Sequence, residues 1–174
     1  MRLHPHPESP PPPGLNLEAF AIWKREGLQL EFRLAGPLDG LLLPGPDAPR
    51  REEGLWRHTC FEAFFQGEDA PGYGEVNLAP SLAWQVYRFH AYRAGGALET
   101  SVAPVIQVAS EASALVLRAT LPQTWLGPGN RLRIGLTAVI ETRAGALSYW
   151  SLSHPPGQPD FHDTRAFVLE LDRP

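Results

Sequence analysis

The stretch Leu132-Arg133-Ile134-Gly135-Leu136-Thr137-Ala138-Val139-Ile140 sets five apolar side chains, Leu132, Ile134, Leu136, Ala138 and Ile140, on alternate positions. A period of two is the mark of a strand with one face in a core. Glu141 ends the run on the opposite face. The same pattern recurs outward from here. Leu28, Leu30, Phe32 and Leu34 alternate with Gln29, Glu31 and Arg33, after a tight turn at Glu26-Gly27. Leu115, Leu117, Ala119 and Leu121 alternate with Val116, Arg118 and Thr120, and 102–108 before them predicts an antiparallel partner. Further strands are predicted over 17–23, 59–65, 73–78, 147–153 and 165–171, with a turn over 66–72, while 41–43 is a short apolar run closed by Pro44-Gly45-Pro46. The segment 82–93 has no clean face, since Trp84, Val86, Arg88, His90 and Tyr92 oppose Ala83, Gln85, Tyr87, Phe89 and Ala91. It predicts a bulge or partial cover on both sides.

Nineteen prolines and sixteen glycines leave no room for long helices, and only 122–125 predicts a helical turn. The result is an all-β fold of about ten to eleven short strands, an antiparallel sandwich or barrel. With 174 residues the chain is read as one domain over 17–174, preceded by a Pro-rich arm over 1–16. Residues 1–14 hold six prolines, and Pro10–Pro13 is extended. This arm is expected on the surface or disordered. His4 and His6 lack the further ligands that a metal needs.

Charge narrows the partners. Fifteen basic and nineteen acidic residues give a net charge of -4, and Arg50-Arg51 is at once balanced by Glu52-Glu53. That excludes the basic footprint of a nucleic-acid binder. No apolar run approaches the length of a membrane span, and 1–7 has no apolar core of a leader, so a cytoplasmic protein is expected. One cysteine excludes an intrachain disulfide and a Cys-based zinc site.

Chemistry concentrates in Leu55-Trp56-Arg57-His58-Thr59-Cys60-Phe61-Glu62-Ala63-Phe64-Phe65. A carboxylate among aromatics is costly to bury unless paired, so Glu62 marks a site or a compensated core position. Alternation puts Cys60, Glu62 and Phe64 on one face and Phe61 and Phe65 in the core. Cys60 lacks an oriented base and is read as packing. The Pro-rich loop 44–54 leads into this stretch and is a candidate rim. A second concentration runs over 148–163, where three prolines and a glycine stiffen a loop carrying Asp160-Phe161-His162. Gly-rich phosphate loops, nucleophile elbows and zinc-protease signatures are absent from the sequence.

Taken together, several blocks resemble the DOMON-like, carbohydrate-binding-module-family-9-like domains of bacteria. They are His4-Pro5, 55–64, Gly74-Glu75-Val76-Asn77-Leu78-Ala79-Pro80-Ser81 with Trp84, Tyr92-Arg93, Ala138-Val139-Ile140-Glu141, Ser148-Tyr149-Trp150, and His154-Pro155 with Pro159-Asp160-Phe161-His162. The resemblance implies an immunoglobulin-like β-sandwich. In family 9 sugar-binding modules, a tryptophan, a glutamate after five intervening residues and an aromatic two further on share the spacing of Trp56, Glu62 and Phe64. The resemblance implies that Trp56 is one jaw of an aromatic clamp and that Glu62 accepts sugar hydroxyls. Phe161, six residues before Phe167, corresponds to the other jaw, and Gln158 to a polar amide. Glu75 stands where those modules carry an arginine, and Val139, with Glu141 nearby, where they carry a glutamine. The implied site is therefore more acidic.

The expected function is a non-catalytic module for a small, sugar-like ligand, with Trp56, Glu62, Glu75, Glu141, Gln158, Phe161 and His162 as its site. Three alternatives stay open. One is an enzyme using Glu62, Glu75 and Glu141 with His58 and His162 as acid–base groups. Another is haem or metal binding by two of His58, His90, His154 and His162; with Met1 the only methionine, Met/His ligation is excluded. The last is a structural role in which Glu62 pairs with Arg88 or Arg93. Neither haem nor a structural calcium is specified by the residues.

Overall fold

The computed structural model describes residues 1–68 and 70–174. Asp69, within the expected turn 66–72, lies outside the described residues. The strands are β1 (His4–Pro5), β2 (Asn16–Lys24), β3 (Gly27–Ala35), β4 (Arg50–Arg51), β5 (Cys60–Gly67), β6 (Tyr73–Leu78), β7 (Ala83–Ala91), β8 (Ala94–Ala97), β9 (Val105–Glu111), β10 (Ala114–Pro122), β11 (Arg131–Glu141), β12 (Leu147–Ser151) and β13 (Leu169–Asp172). One sheet has the order β2-β3-β10-β9. The other runs β1-β12-β11-β5-β6-β7-β4, with β13 also on β11 and β8 on β7. Among the described residues, only the short β4–β7 contact is parallel. The fold is all-β, as expected, and the two sheets pack as a sandwich.

The alternating residues form the interface between the sheets. Leu28, Leu30, Phe32 and Leu34 are fully buried from one side, and Phe61, Ala63, Phe65, Leu132, Ile134, Leu136, Ala138 and Ile140 from the other. Phe32 meets Phe61 across the gap, ring centroids 5.2 Å apart. Each of the leucine, isoleucine and phenylalanine side chains contributes roughly 1.5–3 kcal/mol through its burial. The β2–β3 turn is Arg25-Glu26, with Gly27 opening β3. Gly27 has φ 149, and a Cβ there would lie 2.0 Å from the Leu121 carbonyl oxygen. No other residue fits that approach.

Local differences from the expected strands have simple causes. The bulge expected in 82–93 is a register shift between Phe89 and Ala91 where β8 folds back on β7. Leu41 makes only an isolated bridge to Thr142, since prolines follow directly. β1, β4 and β8 are too short to carry a periodic signal.

The N-terminal segment is the larger correction. It is neither loose nor merely superficial. Leu3 is fully buried in the main core, and its N–H donates to Leu17 O at 2.8 Å. The Met1 ammonium donates to Ala19 O at 2.9 Å. β1 adds a strand to the edge of β12. His6 is buried; its Nδ1 accepts from Glu8 N–H at 3.2 Å, so its Nε2–H donates to Gly157 O at 3.0 Å. Leu3 supplied one apolar residue among prolines, too little to show periodicity.

Leu3→Ala is expected to cost about 2–4 kcal/mol by deleting a packed core side chain. Urea unfolding measures it, and a loss near zero would mean that the segment does not belong to the core.

Candidate functional site

The pleat of β5 sends Cys60, Glu62 and Phe64 away from the inter-sheet core. Register supplies their neighbours. Glu62 lies opposite Thr137 on β11 and Asn77 on β6; Phe64 lies opposite Gly135 and Glu75. Glu75 in turn faces Tyr87 on β7, and Tyr73 faces Phe89. These side chains, with loops folded over them, enclose a cavity of about 400 Å³. Trp56, Glu62, Phe64, Glu75, Tyr87, Phe89, Arg93, Val139, Tyr149, Pro159, Phe161 and His162 line it.

Phe64 is the hub of the aromatic wall. Its ring stacks on Phe167 at 5.7 Å and meets His162 at 5.2 Å and Phe161 at 6.5 Å. Gly135 makes this possible, since a Cβ there would come within 2.9 Å of the Phe167 ring. Phe161 also rests on Tyr149 at 6.0 Å, on the β12 side of the cavity. Trp56 stands on the β7 side. It rides on a short 3-10 turn, Leu55–Arg57, anchored by buried Leu55. Its ring meets Tyr87 edge-on at 5.9 Å, the Arg57 guanidinium lies 5.8 Å from its centroid, and the residue stays 40% exposed.

Both loops are held by polar contacts. Glu53 accepts hydrogen bonds from Tyr87 Oη at 2.9 Å and Gln85 Nε2 at 2.8 Å, which ties the residues before Trp56 to β7. Asp160 accepts from the Arg93 guanidinium, Tyr92 Oη and the His162 N–H, at 2.9, 2.9 and 3.1 Å. Arg93 itself has φ 52, just after β7 and its bulge.

The floor is acidic and buried. Glu62 is 2% exposed and Glu75 5%. Thr137 Oγ1 donates to Glu62 at 3.1 Å, and Asn77 Nδ2 to Glu75 at 2.9 Å. Burial, then the neighbouring Glu75 charge, pushes the Glu62 carboxyl well above the usual carboxylate range. Burial raises Glu75 to about 7, against the Asn77 hydrogen bond and the Arg93 charge. Burial and Arg93 hold His162 at about 4, although Asp160 opposes them. His162 is therefore neutral near pH 7. Tyr73 Oη accepts from Arg93 N–H at 3.1 Å and donates to His162 Nδ1 at 2.8 Å. That leaves the Nε2–H facing Glu75, 3.7 Å away, a dipole contact rather than an ion pair. Burial pushes the Cys60 thiol up, in keeping with packing.

Five expected site residues, Trp56, Glu62, Glu75, Phe161 and His162, line this one cavity. Two lie elsewhere. Glu141 sits at the end of β11 and contacts His58 Nδ1 at 2.8 Å. The Gln158 amide turns away to Glu8 at 2.6 Å, beside Pro155 and Pro156. Glu62 makes no ion pair with Arg88 or Arg93: Arg88 bonds Trp125 O, and Arg93 bonds Asp160. Of the four candidate haem ligands, His162 alone lines the cavity. No three His, Cys, Asp or Glu side chains among the described residues are grouped to hold a metal. Tyr87, Phe89, Tyr149 and Arg93 are not among the expected site residues. The alternation at 87 and 89 signals a shared face, but the register that sets it against Glu75 is not a local property.

The fold and cavity define a class: a β-sandwich with an aromatic-walled, carboxyl-floored cavity on the outer face of its larger sheet. No protein-family model matches the chain, and no curated protein matches its sequence. Among solved structures it is similar to a candidate carbohydrate-binding protein from Bacteroides uniformis, with TM-score 0.66 and 10% identity over 91% of this chain and 78% of that one. It is also similar to a family 9 carbohydrate-binding module from Caldicellulosiruptor kristjanssonii in complex with glucose, with TM-score 0.54 and 8% identity over 91% and 76%. The likeness is one of fold, and it makes this a family-9-like sandwich.

Glu75 gives the site a pH signature. Its folded pKa of about 7 exceeds the ordinary 4.5, so its contribution is fully present below about pH 4.5 and is lost as pH rises through 7. His162 acts oppositely, costing stability as pH falls from 6.5 toward 4. Glu75→Gln should therefore stabilise the fold above pH 7 by on the order of 3 kcal/mol and change little at about pH 4.5. Denaturant unfolding of both proteins across this range tests it; parallel pH curves would refute it.

Proposed function

We propose that this chain is a non-catalytic carbohydrate-binding module whose cavity takes a small saccharide between Trp56 and Phe161. The supporting observation is the division of the cavity into aromatic walls and a floor of hydrogen-bonding groups. Sugar rings offer apolar C–H faces to aromatic rings and hydroxyl donors to carboxyl groups. Trp56 approaches from the β7 side and Phe161 from the β12 side, so a ring lying between them would meet both. Glu62, Glu75 and the His162 Nε2–H are the polar contacts. The likeness to a module in complex with glucose supports the same ligand class here.

A second reading, an acid–base enzyme on a sugar-like substrate, draws on Glu75 near neutrality beside a neutral His162. Loss of turnover with retained binding in Glu75→Gln would favour it.

The clamp is tested by calorimetric titration of glucose and short glucans into wild type, Trp56→Ala and Phe161→Ala. Each variant should lose on the order of 1–2 kcal/mol of binding without change in circular dichroism. Unchanged affinity in Trp56→Ala removes the clamp.

A further inference from the structure

Among the described residues, Arg93 is the one cation that lines the cavity, and it does not pair with the carboxyls of the floor. Glu62 and Glu75 sit on adjacent strands, on one face, as diagonal neighbours roughly 7 Å apart at the backbone. Among the described residues, neither carboxyl has a Lys or Arg within ion-pairing distance. The nearest guanidinium, on Arg93, is engaged by Asp160 and Tyr92. Donors are scarce too. Glu62 receives a hydroxyl hydrogen bond from Thr137 and a weak one from the Cys60 thiol, and Glu75 receives one from Asn77, against about four lone-pair sites on an ionised carboxylate. Asn77 Oδ1, on the same face and fully buried, has no hydrogen-bond partner among the described residues.

We propose that the ligand is a saccharide bearing a protonated amine, with its ammonium group seated on Glu62 and Glu75 beneath the aromatic walls. This deepens the sugar-binding reading and rests on it. A neutral hydroxyl brings one donor to one carboxyl. An ammonium brings three donors and the missing charge. The rings of Trp56, Tyr87, Tyr149 and Phe161 line the same cavity, and an aromatic ring attracts a cation that lies over its face. The groups acting on the two carboxyls come from every side. Thr137 and Cys60 face Glu62, while Asn77, His162, Arg93, Tyr73 and Tyr87 surround Glu75. Arg93 is the one cation among them, and Asp160 neutralises it. Seating an ammonium ionises the carboxyls, so binding releases protons to solvent.

The test is calorimetry on the intact chain at about pH 7 with four probes: glucosamine, glucose, N-acetylglucosamine and cyclohexylamine. Glucosamine should bind on the order of tenfold or more tighter than glucose, and acetylation should remove the gain. Titration in buffers of different ionisation enthalpy should report proton release with glucosamine and none with glucose. Glu75→Gln and Glu62→Gln should each bring glucosamine down toward the affinity of glucose. Equal affinity for glucose and glucosamine without proton release would overturn the amine and leave the sugar reading standing. Binding of cyclohexylamine with no sugar bound would overturn the saccharide part. Binding of none of the four overturns both.

Discussion

The pleat of β5 is the constraint on which both the core and the cavity depend. Successive residues point to opposite faces, so Phe61 and Phe65 are drawn into the core while Glu62 and Phe64 are turned out beneath the loops. A slip of one residue would put a carboxyl between the sheets and a phenylalanine on the cavity floor. The packed inner face, with Phe61 against Phe32, thus sets the orientation of Glu62. The sandwich core and the acidic floor are two sides of one strand.

That coupling explains how far the sequence could be read. Strict alternation in 28–34 and 132–140 makes the sandwich visible because each strand carries its own record of which face is buried. Glu62 and Phe64 were assignable for the same reason. Glu75, Phe161 and His162 came from resemblance to a family, and the cavity gathers them. Gln158 and Glu141 came the same way and lie outside it, because Glu8 and His58 occupy them. Tyr87 and Tyr149 show the limit. Each is an ordinary aromatic in an ordinary strand, and only the lateral order β12-β11-β5-β6-β7 turns both toward one space.

The polar floor is organised by desolvation rather than by charge pairing. Glu75 near neutrality, a neutral His162 and a Tyr73 hydroxyl committed to the imidazole form a connected set. Tyr73 and Arg93 hold the imidazole tautomer, and Asp160 holds Arg93, so the loop bearing Phe161 also sets the electrostatics of the floor.

The N-terminal segment gives that loop a second anchor. His4 O meets His154 Nε2 at 2.8 Å, His6 reaches Gly157 O and Glu8 takes the Gln158 amide. The first eight residues therefore act as a clasp on the wall that carries Phe161, with buried Leu3 as its rivet. The position of that wall and the integrity of the N-terminal segment are mechanically linked. An enzyme that trimmed those residues would loosen the cavity without touching a side chain that lines it.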